Sequence, residues 1–242
     1  MGRGLKRNFV LLHGAFHGGW CWARVAERLI EAGHRVTTPT QTGVGERHHL
    51  MSESITVETF ICDLVNHLVA EEIEDAVLVG HSFGNVATSG AADRVPERIG
   101  RLIYLDSRLV QSGQCAFDTQ PAAVVAARIA AAEAFNGGKS CPPPPAESFG
   151  IPPGADADWV NRRLTPQPMG VFSSVLRLAG PLGNHLPATY IGCTAPYYGT
   201  QAEFHALARR QPGWGWAELA TGHDAMVTAP DALAALLQEI GA

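Results

Sequence analysis

"VLVGHSFGNV", residues 77–86, begins as an apolar run and then turns through Gly80-His81-Ser82-Phe83-Gly84. An apolar run that stops at glycine reads as a buried strand, and the residues from Phe83 onward read as a helix. G-x-S-x-G at such a junction is the spacing of a nucleophile elbow, a sharp turn that holds a serine in a strained conformation with its hydroxyl exposed. Small residues flank Ser82 because the backbone there leaves no room for a Cβ. An ordinary Gly-Ser turn after a strand shares the same pentapeptide, so the reading rests on what accompanies it.

Working outward, strand-like runs recur at 8–12, 35–38, 76–80, 102–106, 188–193 and 214–219. Helical segments fit at 20–31, 57–72, 83–93, 201–210 and 231–240. This alternation predicts an α/β fold, a mostly parallel sheet with flanking crossover helices. Val57, Phe60, Ile61, Leu64, Leu68 and Ile73 follow a 3.6-residue period and form one buried stripe. Roughly 80 residues between Asp106 and Ala188 hold no convincing strand, too many for a plain loop in a compact domain. They predict a mainly helical cap, 107–186, inserted into a core built from 1–106 and 187–242. The prolines of "CPPPPAESFGIPPG" favour disorder, but Phe149, Ile151, Trp159, Val171, Phe172, Val175 and Leu176 favour packing.

At 242 residues the chain is long enough to bury a sizeable core as one domain. Its 18 basic and 23 acidic residues, with no basic cluster, argue against nucleic acid. No run of about 18 apolar residues offers a membrane span. The start, "MGRGLKRNFVLL", lacks the apolar length and cleavage site of a signal peptide. Five scattered cysteines without C-x-x-C spacing indicate neither a disulfide framework nor a zinc site, so a cytoplasmic location is expected.

A serine hydroxyl needs a base to take its proton. Among ten histidines, His223 in "ELATGHDAMV" stands out, in a glycine-containing loop after the last expected strand and before the final helix. Serine first and histidine last is the chain order of one class of hydrolase triads. The developing oxyanion needs fixed N–H donors. Phe83, just after the serine, supplies one; Ala15 in "LLHGAFHGGW" supplies the other, with glycines that let the backbone approach. Phe16 is expected to touch substrate, Trp20 and Trp22 to pack the oxyanion loop with Trp20 also in reach of substrate, and His81 to face away from the pocket. His48 and His49 read as a solvated loop rather than a metal site.

Taken together, "LLHGAFHGGWCW", "VLVGHSFGNV", "LIYLDS" and "GHDAMV" resemble the α/β-hydrolase superfamily, within it the small esterases related to plant methyl-ester hydrolases and hydroxynitrile lyases. The resemblance covers most of the sheet-forming chain and little of the cap. It implies a capped α/β-hydrolase fold, Ser82 as nucleophile, His223 as base, Ala15 and Phe83 as oxyanion donors, and no metal or organic cofactor.

The acid departs from the pattern. In that branch an aspartate follows the strand at 188–193, yet "YIGCTAPYYGTQAEF" holds no carboxylate until Glu203, which lies well into the next helix. Asp106, at the end of the preceding strand, is the alternative, although it also fits a local turn former. Asp224 is adjacent to His223 and poorly placed to accept its ring N–H. The expected function is cleavage of a carboxylic ester or lactone of a small, largely apolar substrate through an acyl-enzyme, with that small molecule the expected partner and a homodimer the assembly entertained. One rival is a carbon–carbon lyase; the resembling lyases carry threonine where this chain has Gly14 and lysine where it has Asp224. The other is a non-catalytic receptor, encouraged by the missing acid.

Overall fold

The computed structural model describes residues 6–198 and 201–242, so residues 1–5 of the basic start read above lie outside it. Its strands are β1 (Asn8–Leu12), β2 (Arg35–Thr37), β3 (Ala76–His81), β4 (Ile99–Leu105), β5 (Ser140–Cys141), β6 (Gln167–Pro168), β7 (Ala188–Cys193) and β8 (Gly215–Leu219). Six form one sheet in the order β2-β1-β3-β4-β7-β8, parallel throughout. The helices are α1 (Ala23–Glu31), α2 (Val57–Ala70), α3 (Asn85–Arg94), α4 (Ala122–Asn136), α5 (Ala155–Asn161), α6 (Met169–Ser173), α7 (Gln201–Arg209), α8 (Ala225–Thr228) and α9 (Pro230–Gly241).

The pleat sorts each apolar strand into two faces, because successive side chains point opposite ways. Phe9, Leu11, Val77, Val79, Ile103 and Leu105 pack with Val25, Leu29, Leu233 and Leu237 of α1 and α9. Val10, Leu12, Leu78, Leu102 and Tyr104 pack with the α2 stripe and with Val86 and Ala91 of α3. A sheet covered on both faces explains why its strands read as unbroken apolar runs. The six residues of the expected stripe are all buried.

Register then fixes where function can sit. Leu12 pairs with Gly80, His81 with Leu105, Leu105 with Ile191 and Cys193 with Leu219. The chain therefore leaves β1, β3, β4, β7 and β8 at one edge, the carboxyl edge where ligands bind in open α/β sheets.

The differences from expectation are local. The first turns of the helices expected at 20–31 and 83–93 are tighter 3-10 turns, Gly19–Trp22 and Ser82–Gly84. Strand β4 starts three residues early, at Ile99. The stretch between β4 and β7 holds α4, α5 and α6, and also a short antiparallel ribbon of β5 and β6 that its sequence did not suggest. Phe149, Ile151, Val171, Phe172 and Leu176 are buried as expected, whereas Val175 is 41% exposed. The chain is extended after α6, with Ser174 at ψ 144°, so Val175 and Leu176 point to opposite sides. Among the described residues no helix is long and apolar enough to cross a membrane.

Candidate active site

Ser82 follows β3 with φ 51°, a left-handed conformation that non-glycine residues adopt only under constraint. The flanking glycines supply that constraint. A Cβ on Gly84 would stand 2.5 Å from the His13 carbonyl oxygen, and one on Gly80 2.7 Å from Thr88 Oγ1. The elbow is therefore packed against the end of β1 and against α3 as closely as backbone permits.

His223 lies in the loop after β8, and its Nε2 is 2.9 Å from Ser82 Oγ. On the other side of the ring, Nδ1 is 2.6 Å from Oδ2 of Asp106. With Nδ1 protonated and donating to Asp106, Nε2 accepts from the serine hydroxyl. Asp106, just past β4, has φ 42° and is fully buried. Its Oδ1 accepts from His205 Nε2 at 2.8 Å and from the Cys193 N–H at 3.2 Å. Burial alone would raise the Asp106 pKa, but the hydrogen bonds from His205 and His223 outweigh it and hold the carboxyl well below the usual carboxylate range. Tyr197 donates its hydroxyl to His205 Nδ1 at 2.6 Å, which fixes the tautomer that keeps Nε2–H on Asp106. Glu203 is not among the groups bonded to His223, and the carboxylate of Asp224 is engaged elsewhere.

That second carboxylate lies under the loop after β1. Asp224 Oδ2 is 3.0 Å from His17 Nε2, and both side chains are buried. Burial disfavours the His17 cation, but the Asp224 charge and hydrogen bond prevail and raise its pKa. His17 Nδ1 in turn meets the Ala15 carbonyl at 2.8 Å. His81 was expected to face away; instead it borders the pocket, its ring 4.6 Å from that of His223, with Nε2 donating to the His223 carbonyl at 3.0 Å. The reason is positional: β3 ends at His81, directly beneath the loop that carries His223. Burial pushes the His81 pKa down to about 3 and that of His13 to about 4.

Among the described residues, the Ala15 N–H has no backbone or side-chain acceptor. Phe83 sits in the first turn after the elbow, where helical N–H groups lack intrahelical partners. Phe16, at φ 69°, donates its N–H to Gln167 Oε1 at 2.7 Å, and its carbonyl accepts from the Thr165 N–H at 3.0 Å. The β5–β6 ribbon thus clamps the loop that carries Ala15 from 151 residues away.

A pocket opens beside Ser82. Phe16, Phe149 and Phe172 give it an apolar wall; Ala116, Gln120 and Arg128 come from the stretch between β4 and β7. Trp20 is not among the lining residues: it stacks on His17 and meets Trp159 edge-on at 5.1 Å. Tyr198, which sequence reasoning missed, stacks on the His223 ring at 4.0 Å. His81, His223 and Asp224 offer ligand atoms within 4.8 Å of one another, but a metal there would draw His223 away from Ser82 or Asp106. His48 and His49 lie exposed in a 3-10 turn, Gly45–Leu50.

The model of the alpha/beta hydrolase family matches residues 9–236. A carbendazim hydrolyzing esterase of Nocardioides sp. (strain SG-4G) is 41% identical over 242 residues, which cover 97% of this chain and 99% of that protein. A putative chloroplastic methylesterase of Arabidopsis thaliana is 36% identical over 120 residues, 47% of this chain and 33% of that protein. Among solved structures, an extracellular α/β-hydrolase from a Paenibacillus species aligns with TM-score 0.86 at 23% identity, over 97% of this chain and 98% of that one. Tomato methylketone synthase I aligns with TM-score 0.81 at 20% identity over 98% of both chains, so at this distance the likeness speaks to fold alone. The chain belongs to the α/β-hydrolase family.

Proposed function

We propose that this enzyme is a serine esterase that cleaves a carboxylic ester or lactone of a small, largely apolar substrate through an acyl-enzyme. The observation that carries the reading is the unbroken run from Ser82 Oγ through His223 to Asp106, at 2.9 and 2.6 Å, in a chain 41% identical to an esterase. Ser82 Oγ attacks the ester carbonyl while its proton passes to His223 Nε2. Asp106 holds the opposite ring N–H and stabilises the imidazolium that forms. The N–H groups of Ala15 and Phe83 receive the oxyanion. When the tetrahedral intermediate collapses, the C–O bond to the alcohol breaks and His223 returns the proton to that oxygen. Water, deprotonated by His223, then releases the acid and restores Ser82. The stretch 107–186 serves as the cap, a reading supported by the half-buried and buried lining residues it supplies. Five free thiols, three of them buried, support a reducing, cytoplasmic setting.

The rivals lose ground on specific contacts. A threonine at position 14 would bring a Cβ within 2.9 Å of His81 Nδ1 and 3.0 Å of Ser82 Cβ, so the lyase side chain has no room. The receptor reading drew on a missing acid, and the 2.6 Å contact between Asp106 Oδ2 and His223 Nδ1 supports Asp106 in that role. The test is a series of p-nitrophenyl esters of graded acyl length. Wild type should turn them over, and Ser82→Ala should lose roughly 10³-fold or more while staying folded. Wild-type rates in Ser82→Ala would refute the serine mechanism.

A further inference from the structure

The pocket beside Ser82 carries a charge that ester cleavage does not call for. Arg108 and Arg128 both line it, and among the described residues no aspartate or glutamate does. This is notable in a chain of net charge −5. Arg128 projects from α4 with its guanidinium carbon 4.6 Å from the centroid of Phe172 and 6.0 Å from that of Phe16, two rings of the pocket wall. Stacking engages the face of a guanidinium and leaves its in-plane N–H donors available. Among the described residues no hydrogen bond or ion pair engages those donors, and the side chain is half-buried at the pocket wall, so the donors are open to an incoming anion. Arg108 adds a second positive charge to the same wall, anchored by its Nη1 to the Thr119 carbonyl at 3.4 Å and placed over Phe204 at 5.6 Å. The charges of both arginines act on the Tyr198 phenol, the ring stacked on His223. An anion bound there would lie within electrostatic reach of the reacting centre.

We propose that Arg128, with Arg108 beside it, forms an anion subsite, so that the preferred substrate is an ester with an apolar body and a carboxylate on one end. This rests on the ester reading of Ser82 and deepens it. The carboxylate accepts from the edge of Arg128 while the body lies on Phe16 and Phe172, with the scissile carbonyl at Ser82. A charge-assisted hydrogen bond at a half-buried guanidinium is strong enough to favour an anionic over a neutral ester by about tenfold or more.

Two matched ester pairs distinguish the side of the bond that carries the charge. Monomethyl against dimethyl terephthalate places it on the acyl side; 4-acetoxybenzoate against its methyl ester places it on the leaving group. Wild type should prefer the anionic member of one pair in kcat/KM by about tenfold or more, and added salt should shrink the ratio. Arg128→Gln should bring that ratio close to one, and Arg128→Lys should keep part of it. A wild-type ratio near one in both pairs, or an unchanged ratio in Arg128→Gln, overturns the subsite. If the wild type cleaves none of the four compounds nor any p-nitrophenyl ester, the ester reading itself falls, and the subsite with it.

Discussion

Replacing Asp106 by asparagine tests the catalytic arrangement where it is least conventional. The carboxylate accepts from three donors at once: His223 Nδ1 on Oδ2, and His205 Nε2 with the Cys193 N–H on Oδ1. An amide has one oxygen for these three donors. Two of them converge on the Oδ1 side, and the Cys193 N–H cannot change into an acceptor, so the amide oxygen settles there and the NH₂ turns to His223. The imidazole must then accept at Nδ1 and carry its proton on Nε2, facing Ser82 with no lone pair to receive the hydroxyl proton. In a serine-protease triad this swap costs roughly 10⁴-fold in turnover, or about 5 kcal/mol of barrier. Steady-state kinetics on p-nitrophenyl acetate, with circular dichroism to confirm the fold, read the effect directly. Glu203→Gln is the companion variant, expected to be nearly silent. A loss below about tenfold in Asp106→Asn, or a larger loss in Glu203→Gln, would show that the acid lies elsewhere.

His205 is a positioning residue by the same geometry: removing its donor in His205→Leu should weaken Asp106 by about 1.5–3 kcal/mol, lowering kcat more than it raises KM, with partial rescue in His205→Gln. An unchanged kcat would contradict this. Stability should also depend on pH. His13 and His81 are buried neutral with pKa values near 4 and 3, so the unfolded chain binds more protons than the folded one at any pH between those values and 6.5. Each then loses about 1.4 kcal/mol per pH unit well below its unfolded value, and urea unfolding should show these two groups contributing a drop of about 4 kcal/mol from about pH 7 to about pH 5. His17, whose pKa is raised, opposes this in part, and Asp106 and Asp224, whose pKa values are depressed, lose their contributions only below the unfolded value of 3.8. Stability that is flat or rises on acidification would refute the assignment of neutral, buried His13 and His81.

The parts legible in the sequence are those governed by local chemistry. Val77 to Gly80 announce a strand because both faces of β3 are buried, and Gly80 and Gly84 announce the elbow because their neighbours leave no space for a side chain. His223 was singled out through chain order, a consequence of topology. Asp106 was ambiguous because nothing local separates a turn-forming aspartate from one whose carboxylate reaches a loop 117 residues away. His205, Tyr198 and Gln167 were invisible for a similar reason. Each acts through a contact made only once β4, β7 and the β5–β6 ribbon have assembled. For Trp20 both packing and substrate contact were open, because an aromatic beside such a loop can pack inward or outward; it stacks on His17 and meets Trp159.

The most direct test of the central claim is to react the protein with a fluorophosphonate and map the adduct by peptide mass spectrometry. The account predicts a single covalent adduct on Ser82, blocked by prior incubation with a substrate ester and absent from Ser82→Ala. An adduct on another residue, or full esterase activity retained in protein fully labelled on Ser82, would contradict it.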